Sequence, residues 1–269
     1  VMSPVNEATP EGQPVLWMRD LPPTTPEAIP LKNPAVYFGE NTTDYAIVRS
    51  NLKELDYPML TGEGSSEENV YTTYAGDGGI PIGGLRNILL TRDLNPESRL
   101  LWRRSIQERV RAMFPFLLFD DDAYPVVANG EIIWMYDAYT HTRNYPYSKP
   151  FLVRDGVLRQ FNYLRNSVKI TIHAYTGEVN AYIADPNDPI IRAYAQAFPN
   201  TFKPLDAMPP ALRAHIRYPI DLFQIQARLL EVYHTTDARI FFNKEDVWQI
   251  GRERPTGNEE VPMAPYYVI

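Results

Sequence analysis

Tyr124-Pro125-Val126-Val127-Ala128-Asn129-Gly130-Glu131-Ile132-Ile133-Trp134-Met135-Tyr136 carries the sharpest local signal in the chain. Apolar runs rich in β-branched and aromatic residues flank Asn129-Gly130. Asn-Gly supplies the two positive-φ positions that a two-residue type I′ turn requires, so the stretch predicts a β-hairpin. A second hairpin is predicted downstream, from Val168-Lys169-Ile170-Thr171-Ile172-His173-Ala174-Tyr175 through Thr176-Gly177 into Glu178-Val179-Asn180-Ala181-Tyr182-Ile183, whose side chains alternate in character along each arm. Two hairpins in mid-chain make an antiparallel sheet the expected centre of the fold.

Outward from that centre the pattern turns helical. Asp188-Pro189 opens a segment ending at Phe198-Pro199, Pro209-Pro210 opens another ending before Tyr218-Pro219, and Leu222, Ile225, Leu229 and Val232 mark a third. Upstream, Asn95 reads as an N-cap, with Pro96 at the first helical position and Glu97 after it. Trp102, Ile106, Val110 and Met113 then recur as one stripe predicted to be buried, and Pro115 stops it. A further helix is expected over Leu85 to Arg92, a strand over Asp44 to Arg49 and a polar loop over Glu63 to Asn69. A sheet between flanking helices gives an α+β class: a central antiparallel sheet built from hairpins, flanked by helices. Residues 1–34 hold eight prolines, which forbid helix interiors and favour extended backbone. That Pro-rich segment is expected to pack on the domain through Leu16 and Trp17, with 35–269 as one α+β domain. The domain is divisible near 185 into a sheet-rich 35–184 and a helix-rich 185–250.

Among 269 residues, 44% are hydrophobic, enough for a core, and Lys+Arg 26 against Asp+Glu 33 gives a net charge of −7. That balance argues against nucleic acid and anionic membrane surfaces as partners, because both attract basic footprints. With no cysteine, thiol nucleophiles, disulfides and Cys-ligated metals are excluded. The longest apolar stretch, Ala112 to Phe119, is short and carries Pro115, far from the roughly 18 residues of a membrane span. Val1-Met2-Ser3-Pro4 shows no charged-then-apolar leader pattern. Pro262-Met263-Ala264-Pro265-Tyr266-Tyr267-Val268-Ile269 reads as the opening of a strand, so a piece of a longer protein is expected.

No pattern specifies a reaction. Asp120-Asp121-Asp122 is a candidate hard-cation site, although the alternating ligands and glycine of a Ca²⁺ loop are missing. Asp185-Pro186-Asn187-Asp188-Pro189 is better read as Asx turns ahead of a helix. The four histidines, His141, His173, His215 and His234, are scattered. Asp137, in the same stretch as His141, gives the one candidate acid–histidine pair for catalysis. The cluster Gly76-Asp77-Gly78-Gly79-Ile80-Pro81-Ile82-Gly83-Gly84 misses both the dinucleotide and the phosphate-loop fingerprints. Gly78 and Gly79 still offer backbone N–H groups to an anion. Tyr-Pro occurs at 57–58, 124–125, 145–146 and 218–219; rigid corners are the expected role. Exposed rings such as Tyr145 and Tyr147 are the ligand-binding alternative. No cofactor is expected.

Several strings in order form a recognisable set: Ala35-Val36-Tyr37-Phe38-Gly39-Glu40, Leu55-Asp56-Tyr57-Pro58, Gly76-Asp77-Gly78-Gly79 and Ser98-Arg99-Leu100-Leu101-Trp102-Arg103-Arg104. The sharpest is Asn162-Tyr163-Leu164-Arg165-Asn166-Ser167-Val168-Lys169, followed by Arg217-Tyr218-Pro219-Ile220-Asp221-Leu222-Phe223 and Phe242-Asn243-Lys244-Glu245-Asp246-Val247-Trp248. Together they resemble uncharacterised protein family 0182, large bacterial multi-pass membrane proteins, from about Gln13 to Ile269. The resemblance implies a cell-membrane parent whose membrane-spanning part lies outside this chain, with this domain on the extracytoplasmic side. It brings no established activity, cofactor or catalytic residue. His173 stands where an acidic residue is usual, and Thr235-Thr236-Asp237 departs slightly from the common pattern.

Two functional expectations follow. The first is a non-enzymatic binding or interaction module that meets a protein, an envelope component or its own membrane part, and it requires an exposed aromatic patch. The second is an envelope hydrolase or transferase using Asp137, Asp120 or Asp121, and it requires two carboxylates, or a carboxylate and His141, converging in a cleft.

Overall fold

The computed structural model describes residues 18, 23–27, 29–59, 68–85, 92–155, 157–254 and 260–267. The central sheet comprises β1 (Leu118–Phe119), β2 (Tyr124–Ala128), β3 (Glu131–Thr142), β4 (Tyr163–His173), β5 (Val179–Ile183) and β6 (Phe202–Pro204). Its order is β6-β5-β4-β3, and β1 and β2 both pair with β3, β2 along Glu131–Met135 and β1 along Ala138–Tyr139. Every pairing is antiparallel except β5 with β6. Asn129 at φ 55° and Gly130 at φ 90° take the left-handed conformation that the β2–β3 turn requires. Both predicted hairpins form, and the α+β class holds.

Period-two alternation sorts the sheet into two faces. Tyr136, Ala138, Val168, Ile170 and Ile172 enter the main core, where α1 (Ile106–Met113) brings Ile106 and Val110, and α2 (Pro189–Ala197) brings Ile191. The opposite face sends Met135 and Tyr182 into a smaller cluster with Val126, Ala128, Met208 and Leu212, the last from α3 (Pro210–Arg213). After it come α4 (Ile220–Tyr233) and α5 (Ala238–Asn243). Asp188 caps α2 through the Ile190 N–H at 3.0 Å, and Asn187 N donates to Asp185 Oδ1 at 3.0 Å, the Asx turns expected there.

The upstream helix is shorter than expected. Glu97 N donates to Asn95 Oδ1 at 2.8 Å, an Asx turn and not a helix cap, and Arg99–Leu101 is a strand between Ala46–Val48 and Ile80–Pro81. The backbone then reverses at Arg103, φ 52°. Ser105 is the true N-cap, accepting from Glu108 N at 3.4 Å. Ile106 and Val110 are fully buried, but Trp102 (53% exposed) precedes the helix and Met113 (49%) ends it facing solvent.

Of the helix expected over 85–92, Leu85 ends a 3₁₀ turn, Gly83–Leu85, and Arg92 lies in a bend; 86–91 lie outside the described residues, as do 63–67 of the expected loop. Glu68–Thr72 is instead a strand on Glu54–Met59. Leu16 and Trp17 also lie outside; of the N-terminal segment, Lys32 and Asn33 donate to the Gly130 carbonyl at 2.8 and 3.1 Å. Among the described residues the strand expected at the C-terminus is confined to Val261–Pro262, with irregular backbone through 267. Two Tyr-Pro pairs are corners, at Tyr145-Pro146 and before α4 at Tyr218-Pro219; the other two lie in strands, Glu54–Met59 and β2. Among the described residues both strands lie at a sheet edge, the place in a sheet where proline is tolerated.

Candidate functional site

The face of the sheet opposite the main core carries a polar layer. Asp137 on β3 stands directly across from Lys169 on β4, with 3% and 8% of their surfaces exposed. Lys169 Nζ donates to Asp137 Oδ1. A bulge in β4 between Arg165 and Val168 breaks the register and re-aims the residues within it. Asn166 Nδ2 donates to Asp137 Oδ1 at 3.0 Å and to the Ala138 carbonyl at 3.3 Å, while Ser167 Oγ donates to Asp188 Oδ2 at 2.6 Å. Burial dominates the Asp137 carboxyl and keeps it above the ordinary carboxylate range, with Lys169 and Asn166 opposing.

Asp120 extends this layer toward the C-terminal helices. It is 1% exposed and accepts from Tyr139 Oη, from Asp122 N at 3.0 Å and from Asp221 N at 3.1 Å. Asp221 Oδ2 in turn accepts from Asp121 N at 3.0 Å. Arg217 pairs with Asp122 at 3.0 Å, and its guanidinium lies 3.6 Å from the Tyr124 ring centroid and 4.7 Å from that of Tyr267. Burial, then the Asp120 charge, pushes the Tyr139 phenol far upward. It is therefore a fixed donor and not an acid for neutral pH.

Between this layer and the start of α4 opens a cleft of about 500 Å³. Arg165, Asn166, Lys169 and Asp185 line it from the sheet side; Arg217, Tyr218, Leu222 and Gln226 form the other wall. Sequence reasoning singled out Asp137 but missed Lys169, Asn166 and Arg217. Their assembly depends on pairing between two separate hairpins, which no local spacing announces.

The other predicted site residues are dispersed. His141 shares a strand face with Asp137 but lies four residues along β3, about 13 Å at the usual strand rise. It lines a separate cavity with Arg143, Asn144 and Gln160. Asp137 and His141 therefore do not form an acid–histidine pair. Asp120, Asp121 and Asp122 are divided among Tyr139, Asp221 and Arg217, and among the described residues no three His, Cys, Asp or Glu side chains group as metal ligands.

Gly78 and Gly79 turn their carbonyls to Arg99, and the Gly78 amide is spent within the protein. Arg99 Nε donates to Gly78 O at 2.7 Å and its Nη2 to Gly79 O at 2.9 Å, while Gly78 N is taken by Tyr74 Oη at 3.1 Å. The oxygens of this loop therefore surround the Arg99 guanidinium. Tyr145 is half exposed and stacks on Tyr163 at 5.6 Å; Tyr147 is fully exposed at φ 58°.

The second notable surface lies on α4 and α5. No residue of α4 is buried over its 14 residues. Phe223 (51% exposed), Leu229 (41%), Leu230 (52%) and Tyr233 (59%) fall within one stripe at helical spacing. Tyr233 continues it to Phe241 on α5, with ring centroids 5.6 Å apart, and Phe242 beside that is 84% exposed. Among the described residues no helix is long and apolar enough to cross a membrane.

The model of an uncharacterised protein family, UPF0182, matches residues 1–269. The chain belongs to that family. A UPF0182 protein of Pelotomaculum thermopropionicum is 43% identical over 280 residues, covering 100% of this chain and 29% of the relative. One from a Sulfurovum species is 43% identical over 282 residues (100% and 30%), and one from a Synechococcus species is 45% identical over 289 residues (100% and 32%). This UPF0182 chain thus spans about a third of the length of the curated relatives it matches. No solved structure matches it.

Proposed function

We propose that this chain is the extracytoplasmic portion of a multi-pass membrane protein and works there as a binding module whose α4–α5 face seats the rest of the same polypeptide. The observation that carries the reading is the continuous apolar stripe from Phe223 through Tyr233 to Phe241, left in water by a folded helix. Such a stripe marks an interaction surface. The relatives supply the occupant's source: about two thirds of their length lies outside the matched region. The surroundings of the stripe argue against a lipid surface, because α4 and α5 bring Asp221 and Glu231 against Arg228 and Arg239, no basic excess.

The absence of cysteine in these residues makes the test direct. In a full-length parent with its other cysteines replaced, Tyr147→Cys, at a fully exposed position away from the α4–α5 face, reacts with a membrane-impermeant maleimide added to intact cells if the domain is extracytoplasmic. Protection until lysis refutes that location. Phe223→Cys bearing a photocrosslinker is expected to join peptides of its own polypeptide outside 1–269; crosslinks only to another protein, or none, refute the docking.

A further inference from the structure

The net charge of −7 is not spread evenly along the chain. Residues 138–177 hold Arg143, Lys149, Arg154, Arg159, Arg165 and Lys169 against one acid, Asp155. Arg165 and Lys169 are paired with Asp185 and Asp137. The other four cations fall between the end of β3 and the start of β4, in the loop after β3 and in the two strands that follow it. Arg143 and Lys149 are exposed and pair with no carboxylate among the described side chains.

The strands Phe151–Asp155 and Val157–Phe161 form an antiparallel ribbon of their own, and neither joins the central sheet. The register sets Val153 opposite Arg159 and Arg154 opposite Leu158. Alternation therefore places Val153, Asp155, Val157 and Arg159 on one face and Leu152, Arg154 and Leu158 on the other. Each face combines apolar residues with an arginine. Such a ribbon has no interior, and two strands alone are marginal in water without an apolar partner. Its root is anchored: Phe161 is buried, the Phe151 and Phe161 rings lie 6.1 Å apart, and Asn162 Nδ2 donates to the Tyr145 and Ser148 carbonyls at 2.8 and 3.1 Å.

We propose that the far end of this ribbon, around 153–155 and 157–159, dips into the surface of a bilayer that contains anionic lipid. Arg154 and Arg159, with Lys149 behind them, answer the headgroup charge, while Val153, Val157 and Leu158 gain the apolar cover that a two-stranded ribbon lacks. The whole-chain balance argues against an anionic surface, but this ribbon reverses it locally. A soluble polyanion would meet the charge and leave the apolar residues of both faces in water, so lipid is the favoured partner. About 13 Å of strand separates Phe151 from Asp155, so an inserted tip leaves Tyr147, which precedes the root, in water. The docking of α4–α5 involves other residues, and either reading can fail without the other.

Cosedimentation of the 269-residue chain with vesicles tests the proposal. Binding is expected to vesicles of equal parts phosphatidylglycerol and phosphatidylcholine, at least about tenfold weaker to phosphatidylcholine alone, and declining as potassium chloride is raised. Arg154→Gln combined with Arg159→Gln should weaken it at least about tenfold. Because the chain has no cysteine, Leu158→Cys and Tyr147→Cys can each carry a polarity-sensitive fluorophore in an otherwise unlabelled protein. The emission from position 158 should shift to shorter wavelength on the anionic vesicles, and that from position 147 should not. Equal binding to both vesicles, no binding to either, an unshifted probe at 158, or full binding by the double variant would overturn the proposal. So would retention on dextran sulfate without any response to vesicles, which would assign the charge to a soluble polyanion.

Discussion

Asp137 and Lys169 face each other across the β3–β4 ladder and pair while nearly sealed from water. A buried pair of this kind contributes little net stability, but removing one partner strands the other. Lys169→Met should therefore cost about 3 kcal/mol at neutral pH, and Asp137→Leu with Lys169→Met should return to within about 1 kcal/mol of the parent. Urea unfolding of the two variants reads this; equal losses in both would contradict the pairing.

The same variant carries a pH signature. Asp137 is already raised by burial, and losing Lys169 removes the main opposing influence. A carboxyl raised in the fold stabilises below its unfolded value, and that stability is lost as pH rises through the folded value. Lys169→Met should thus regain stability as pH is lowered from about 8 to about 5, relative to the parent protein. A loss that stays constant over that window would show that Asp137 is not the stranded group.

Asp188 behaves in the opposite sense. Burial alone would raise it, but hydrogen bonds from Ser167, Thr140, Tyr163 and the Ile190 amide outweigh burial and hold its carboxyl below the ordinary value. Stability from a depressed carboxyl is present above the unfolded value and lost as pH falls through the folded one. Asp188→Ala should cost about 2–3 kcal/mol, combining a lost helix cap with unpaired buried hydroxyls. Asp188→Asn should flatten the fall in unfolding free energy between about pH 4 and pH 2. Guanidinium titrations across that range measure both effects.

Two glycines of the 76–84 cluster should separate cleanly. A Cβ on Gly78 would sit 2.1 Å from the Thr176 carbonyl oxygen, whereas one on Gly84 meets nothing within 4 Å among the described residues. Gly78→Ala should lower stability by about 2–3 kcal/mol through forced backbone displacement. Gly84→Ala should be close to neutral. Thermal unfolding compares them, and equal melting temperatures would mean that the loop does not pack tightly on Thr176.

The sheet was legible because its signals are local: Asn129-Gly130 dictates one turn, and apolar alternation dictates the faces of β3 and β4. Asp188-Pro189 announced α2 for the same reason. The stripe Trp102–Met113 misled because its spacing ignored the reversal at Arg103, while Ser105-x-x-Glu108, a capping box, marked the real start. The site was partly legible. Asp137 stood out as an acid in the same stretch as His141, but Lys169 is 32 residues away in sequence, and only inter-hairpin register brings it opposite. The bulge that aims Asn166 inward is likewise a product of pairing between distant strands.

Hydrogen exchange of α4 is the most direct measurement of the docking face. Backbone amides of Ile220–Tyr233 should exchange at least about tenfold more slowly in the full-length membrane protein than in the separate 269-residue chain. Equal exchange in the two forms would contradict the assignment of Phe223, Leu230 and Tyr233 as a surface covered by the rest of the polypeptide.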